Sequence, residues 1–184
     1  MIRRVCDRWL GRLMMRHAFR SLIGLRLRLM AWRRLGAAIA PSARIGPGVW
    51  MRWPARVSVG EGTKIGGSVW LDAGGGISIG RNVIIGNETS VLTVEHDVDS
   101  PTLATIRRPV QIGDYVWLPY RVLVLPGTTI GEYGVVGSGS VVRGKVDPYT
   151  VVAGNPAKPI RERARADFRY VPSNVPQHRK NIRS

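Results

Sequence analysis

The feature that most constrains this chain is a repeat whose period fits neither a helix nor a strand. From Ile39, three 20-residue segments follow one another without a gap: IAPSARIGPGVWMRWPARVS, VGEGTKIGGSVWLDAGGGIS and IGRNVIIGNETSVLTVEHDV. Ile39, Val59 and Ile79 align, as do Ile45, Ile65 and Ile85, and then Met51, Leu71 and Val91. Within each segment the aliphatic positions are six residues apart, and two further residues complete the unit. After an interruption at 97–109 the six-residue rhythm returns at Ile112, Leu118, Val124, Ile130, Val136 and Val142. A period of six suits a chain that bends at each corner of a triangular coil and sends one aliphatic side chain inward per side. The small residues that follow many of these aliphatics, such as Gly46, Gly66 and Gly86, relieve crowding at the bends. Stacked coils bury a continuous column and pair their backbones with the coils above and below. The expectation is an all-β solenoid, a parallel β-helix spanning 36–160. A sandwich would instead show two-residue alternation.

The rest of the chain is organised around that unit. Of a net charge of +16, residues 1–35 carry +9 (ten Arg against Asp7), residues 36–160 only +2, and residues 161–184 +5. The basicity therefore belongs to the two ends. In the first segment Arg4, Arg8, Arg12, Arg16 and Arg20 recur every four residues beside Val5, Trp9, Leu13 and Met14. Leu22, Leu25, Leu29 and Trp32 continue an apolar stripe, so residues 1–35 read as a basic amphipathic helical segment. LRLRL at 25–29 also satisfies strand alternation. Such a helix fits an anionic membrane surface, and it fits equally a stripe packed on the main domain with its arginines in water. No apolar run approaches the roughly 20 residues of a membrane span, and arginines interrupt any signal-peptide core. No helix-turn-helix, zinc spacing or aromatic strand motif supports nucleic-acid binding. Cys6 is the single cysteine, which excludes an intrachain disulfide and fits a reducing compartment. Residues 161–184 read as a basic tail, either loose or draped over a neighbouring chain.

The interruption, DVDSPTLATIRRP, begins immediately after His96, the sole histidine of the repeat region. A loop projecting from one corner of a solenoid builds a site or clasps another chain. An imidazole, with an ordinary pKa of about 6.5, is neutral enough at pH 7 to take a hydroxyl proton. A carboxylate or a carbonyl on its second nitrogen would hold the tautomer. Glu95 and Asp97 are the acids adjacent in sequence.

The hexapeptide pattern, and above all VQIGDYVWLPYRVLVLPGTTIGEYGVVGSGSVVRGKVDPYTVVAGNPAKPI at 110–160, resembles the left-handed β-helix acyltransferases. Within them it is similar to the maltose, galactoside and colanic-acid-type surface-polysaccharide O-acetyltransferases. The left hand of the coil comes from that resemblance, since ordinary parallel crossovers are right-handed. The resemblance implies an acetyl-CoA-dependent transfer to a hydroxyl of a sugar in a surface polysaccharide or its lipid-linked precursor, with no metal. His96 takes the position of the family's general base; Glu95 and Asp97 are candidates to support it by their adjacency in sequence alone. Trp117 matches the tryptophan lining the acetyl or acceptor end of the cleft, with Tyr120 beside it. Ser138 lies where the pantetheine arm runs, and Lys158 and Arg161 match basic positions near the nucleotide phosphates. Arg143, Lys145 and Arg163 are further basic residues near that end, suited to phosphates or simply solvated. A homotrimer with clefts between neighbours is expected, in the cytoplasm or peripheral at the inner face of the plasma membrane. Where family members read VWIGAGA this chain reads VWLPYRV, so Pro119 offers no N–H to a bound thioester. Where several sugar acetyltransferases carry an asparagine, it has Gly66, with Ser68 nearby.

Other functions on this fold remain to be weighed. A zinc-dependent carbonic anhydrase needs three histidines per metal, yet His17 and His178 lie in the two ends, away from His96. Serine or antibiotic acetylation, or a β-helix scaffold with impaired chemistry, remain alternatives.

Overall fold

The computed structural model describes residues 22–174. The five arginines from Arg4 to Arg20, together with Cys6, His17 and His178, lie outside the described residues. The expected solenoid is present. Its first face stacks Ala38–Ile39, Val57–Val59, Ile77–Ile79, Val110–Ile112, Thr129–Ile130 and Lys145–Val146. The second face stacks Arg44–Ile45, Lys64–Ile65, Ile84–Ile85, Trp117–Leu118, Val135–Val136 and Thr150–Gly154. The third stacks Trp50–Arg52, Trp70–Asp72, Ser90–Leu92, Leu123–Val124 and Val141–Val142. Pairing within these stacks is parallel and follows the sequence repeat, as in Ile45↔Ile65, Ile65↔Ile85 and Leu71↔Val91.

The aliphatics picked out by the six-residue phase are the core. Ile45, Ile65, Leu71, Ile85, Leu118 and Ile130 are among the largest fully buried side chains. Each such burial stabilises by roughly 1.5–3 kcal/mol. A second inward set, Val69, Val83, Val116 and Val122, lies just before the strands and completes the column. The glycines after the aliphatics are needed for the close approach of successive coils. A Cβ on Gly66 would come within 2.8 Å of the Asn87 amide nitrogen. Corners also carry left-handed residues, among them Ser68, Glu88 and Arg121 at the second corner, between the second and third faces.

Both ends of the prism are covered. Helix α1, Leu22–Arg34, lies over the first coil and shows that LRLRL is helical. Trp32 is buried, as the apolar stripe requires, but so is Arg28. Its guanidinium donates to the Gly46 carbonyl at 2.6 Å and lies 5.1 Å from the Trp32 ring. Burial pushes its pKa down from the ordinary arginine value. At the other end Ala157–Glu162 folds back antiparallel on Thr150–Gly154.

Beyond Glu162 the described part of the tail is a strap. Arg163 donates to the carbonyls of Tyr115 and Tyr133, and Tyr170 donates to the Tyr115 carbonyl. Ser173 N–H reaches the Gly62 carbonyl, and Pro172 and Ser173 are buried. The strap thus climbs the first corner, between the first and second faces, on the chain's own solenoid. Residues 175–184 lie outside the described residues.

Candidate active site

The stretch expected as a loop at 97–109 holds the turn and second strand of a two-stranded ribbon whose first strand ends at His96. Val94–His96 pairs antiparallel with Thr105–Arg107, matching Val94 to Arg107 and His96 to Thr105. The ribbon leaves the solenoid at the third corner, between the third and first faces, directly beneath Ala73–Gly76 of the coil above. Gly74 and Gly75 are required there. A Cβ on Gly74 would collide with the Val94 side chain, and one on Gly75 would lie 2.9 Å from the Arg108 backbone.

Alternation along a strand sends Val94 and His96 to one face of the ribbon and Glu95 to the other. Val94 lies against Gly74, so His96 shares the side turned toward the upper coils. Its Nδ1 is 2.8 Å from the Leu103 carbonyl. A carbonyl only accepts, so Nδ1 carries the proton and Nε2 is left with its lone pair in the neutral ring. Leu103, at the ribbon's turn, has φ 48° and directs that carbonyl back to the ring.

This corrects the role assigned to the two neighbouring acids, because neither bonds the imidazole. Glu95 faces the opposite way and binds Arg108 at 2.6 Å and Arg143 at 2.7 Å. Those partners, Arg143 foremost, hold its carboxyl below the usual carboxylate range. Asp97 accepts from the Asp99 N–H at 3.1 Å, while its own N–H donates to the Ala104 carbonyl. It therefore shapes the turn.

Arg143, expected among the basic residues near the coenzyme phosphates, sits at the exit of the third face, where Glu95 engages it. Lys158 and Arg161 are exposed on the hairpin that closes the second face. Lys145 pairs with Asp147 at 2.8 Å, and Arg163 is absorbed into the strap.

Trp117 projects from the second face between Ile84 and Val135 and is 44% exposed. Ser138 is exposed one coil further on, at the second corner. Tyr120 and Arg121 occupy that corner too, and both bind Glu88 of the preceding coil at 2.7 Å. The Tyr120 hydroxyl and the Arg121 guanidinium together lower the pKa of the Glu88 carboxyl. The replacement of small residues by Pro119, Tyr120 and Arg121 is thus matched by an acid one coil earlier. Pro119 has a cost in the ladder. Gly46, Gly66, Gly86 and Gly137 each donate to the coil below, and the proline cannot.

Sequence reasoning missed Trp53, Asp72 and Gly74, which line the corner on the side His96 faces. Trp53 is 49% exposed with φ 61°, and the Arg52 and Arg56 guanidiniums lie 5.7 and 5.9 Å from its ring. A Cβ on Gly74 would be 3.6 Å from the indole nitrogen and 3.8 Å from Asp72 Oδ1. The available signal was the tryptophan at the two-residue extension of the first coil and the glycine run at the same place in the second.

Among the described residues no group of three His, Cys, Asp or Glu side chains converges on a point that could hold a metal.

No family model matches the chain. An Escherichia coli protein named for an acetyltransferase role in colanic acid biosynthesis is 34% identical over 142 residues, covering 77% of this chain and 78% of that one. A Schizosaccharomyces pombe protein named as an acetyltransferase is 42% identical over 83 residues, and the match spans 40% of its length. Among solved structures, a hexapeptide-repeat acetyltransferase of Vibrio cholerae in complex with acetyl-coenzyme A superposes with a TM-score of 0.76 at 29% identity. That likeness covers 87% of this chain and 88% of that one. A maltose O-acetyltransferase of Clostridium difficile gives a TM-score of 0.75 at 27% identity, covering 86% and 85%. With the coil and its corner glycines in register with the repeat, and 34% identity to the colanic acid relative over 77% of its own length, the chain belongs to the hexapeptide-repeat acetyltransferases, enzymes built on a left-handed parallel β-helix.

Proposed function

We propose that this enzyme moves an acetyl group from acetyl-CoA to a hydroxyl of a sugar in a surface polysaccharide or its lipid-linked precursor, with His96 as general base. The observation that carries the reading is the Nδ1–H bond from His96 to the Leu103 carbonyl, which leaves Nε2 as acceptor. In the reaction Nε2 takes the hydroxyl proton as the oxygen attacks the thioester carbon. The tetrahedral intermediate then collapses with cleavage of the C–S bond. The imidazolium returns the proton to the departing thiolate, so free thiol and ester are the products.

Sugar as acceptor is supported by the named roles of the colanic acid and maltose relatives. It is supported too by the half-exposed Trp53 indole at the corner the ribbon leaves from, since an aromatic face suits the C–H face of a sugar ring. Trp117, Ser138, Lys158 and Arg161 descend along the second face and corner, a path suited to an extended donor ending in phosphates.

His96 stands at the third corner, whereas that donor path follows the second face. Neighbouring copies in a homotrimer would bring one chain's His96 to the next chain's Trp117. The first face presents Ser58, Ser78, Gln111, Thr129 and Lys145 outward, while the second presents Arg44 and Lys64 and then Ile84, Trp117 and Val135, and the third Trp50, Trp70, Ser90, Leu123 and Val141. The third face and the lower coils of the second are thus suited to burial between copies.

No helix among the described residues is long and apolar enough to cross a membrane. Leu27 and Met30 are exposed on α1 with Arg26 and Arg34, a surface suited to peripheral contact with anionic lipid at the inner face of the membrane. Co-sedimentation with anionic vesicles checks this, and Leu27→Asp with Met30→Asp should abolish it without disturbing the buried Arg28 and Trp32.

The main test follows thiol release from acetyl-CoA with a panel of sugars, serine and aminoglycoside acceptors. Turnover with sugars, lost in His96→Ala, is expected. A wild type that binds no acetyl-CoA ends the transferase reading, and turnover only with a non-sugar ends the sugar assignment.

A further inference from the structure

We infer that Glu95 is a positioning residue, whose carboxylate, gripped by Arg108 and Arg143, sets the tilt of the ribbon that presents His96. The inference rests on His96 being the base.

The ribbon's own bonds fix its shape. Asp97 N–H donates to the Ala104 carbonyl, and the His96 ring donates to the Leu103 carbonyl. All of these lie within the ribbon and its turn, so none decides how the ribbon stands on the solenoid. From above it is bounded by Gly74 and Gly75, which meet Val94 and the Arg108 backbone. The contact at Val94 is steric, and the root of the ribbon is held too, since Gly75 N–H donates to Thr93 Oγ1 and Thr93 donates to the Asp72 carbonyl. What is left to be set from below is the stance of the ribbon beyond that root.

From below, the Glu95 carboxylate is bound at both oxygens: Oε1 takes Arg108 Nη1 at 2.6 Å and Oε2 takes Arg143 Nη2 at 2.7 Å. Arg143 lies 48 residues on, at the exit of the third face, so this bond ties ribbon to solenoid. Among the described residues it is the one side-chain hydrogen bond joining the strands 94–96 and 105–107 to a lower coil. The Arg108 stem crosses the Gly127 corner between them, where a Cβ would meet its Cδ at 3.2 Å. Glu95 is directly bonded to His96 in the chain but points away from it, so it cannot act on the ring through a hydrogen bond. It acts through the backbone.

The inference gives Arg143 a different role from coenzyme binding, which makes the two separable. The variants are Glu95→Gln, Arg143→Gln, the double variant and His96→Ala, assayed with acetyl-CoA and an acceptor turned over by the wild type. Each single change at Glu95 or Arg143 should lower kcat by about 10- to 100-fold, the scale of a reacting group misplaced by around an ångström. KM for acetyl-CoA should stay unchanged. The double variant should fall no further than the worse single, because the two residues act as one unit. Nitrogen-15 spectra of the His96 ring should show the same Nδ1–H tautomer in the wild type and in Glu95→Gln, because the bond to Leu103 lies within the ribbon and only its placement changes.

Full kcat in Glu95→Gln, with His96→Ala inactive, overturns the inference and leaves the base reading standing. A raised KM for acetyl-CoA with unchanged kcat in Arg143→Gln also overturns it, assigning that arginine to the donor. Undiminished activity in His96→Ala removes the base reading, and the inference with it.

Discussion

At the first corner Tyr115, Tyr133 and Tyr149 stack one above another, with ring centroids 5.0 and 4.5 Å apart. At the third, Ala73–Gly76 offers almost no side chain at all. Both edges belong to the same prism and follow the same coil, yet they have opposite surroundings. Phe168, Tyr170 and Arg163 of the tail pack on the tyrosines and fill the first edge with the chain's own residues. The glycines keep the third edge bare, and a ribbon bearing His96 and a half-exposed Trp53 stand in the space. On the proposed reading, chemistry belongs where the backbone has been stripped of side chains, and stability where side chains have been added.

If that division is right, substitutions at the two edges should affect different measurements. The largest effect is expected from His96→Ala, with kcat/KM lowered by about 10²- to 10⁴-fold, the usual worth of a positioned base. Its unfolding midpoint should be unchanged, because the residue is exposed. Next comes removal of residues 163–184. Losing the Arg163, Tyr170 and Ser173 bonds should cost several kcal/mol, at about 0.5–3 kcal/mol each, seen in denaturant unfolding, with kcat preserved. Tyr133→Ala should reproduce this on a smaller scale, at about 1–3 kcal/mol. A change in kcat there would erase the contrast between the edges.

Trp53→Ala should raise the acceptor KM roughly fivefold, the equivalent of about 1 kcal/mol of stacking, with KM for acetyl-CoA unaltered. The smallest effect concerns pH. Glu95 is held below its ordinary value, so its ion pairs contribute stability above the unfolded-state pKa, and that contribution is lost as pH falls through the lowered folded-state one. Below about pH 4.3, the ordinary glutamate value, wild-type stability should fall more steeply than that of Glu95→Gln. Parallel curves would show that the staple adds nothing to folding.

The coil was legible because each aliphatic in phase, from Ile39 to Val142, has one destination, and burial leaves no choice of register. The two edges were legible to different degrees. Each tyrosine of the first corner follows an inward aliphatic by three residues (Ile112, Ile130 and Val146), so their stacking could have been read in advance. That the tail would cover them could not, because no periodicity links Arg163 to Tyr115. At the third corner, His96 stood out against the repeat. Its partner did not, because a carbonyl has no sequence signature and Leu103 is an ordinary residue. The alternation of Val94, Glu95 and His96 would have turned Glu95 away from the ring, had the ribbon been recognised as strand. Arg28 ran against expectation, since a charged residue on a buried face depends on the particular carbonyl, Gly46, that meets it.

A stack of parallel coils has no intrinsic length. Each end exposes a row of unpaired N–H and C=O groups able to accept another coil, from the same chain or a different one. Here α1 covers one such row, and the returning strand Ala157–Glu162 covers the other with Pro159 and exposed charges. The buried Arg28 thus has a meaning beyond local packing. By occupying the Gly46 carbonyl it takes up an acceptor of the first coil that could otherwise template growth. Loss of that end piece would convert a finite particle into one able to polymerise end to end.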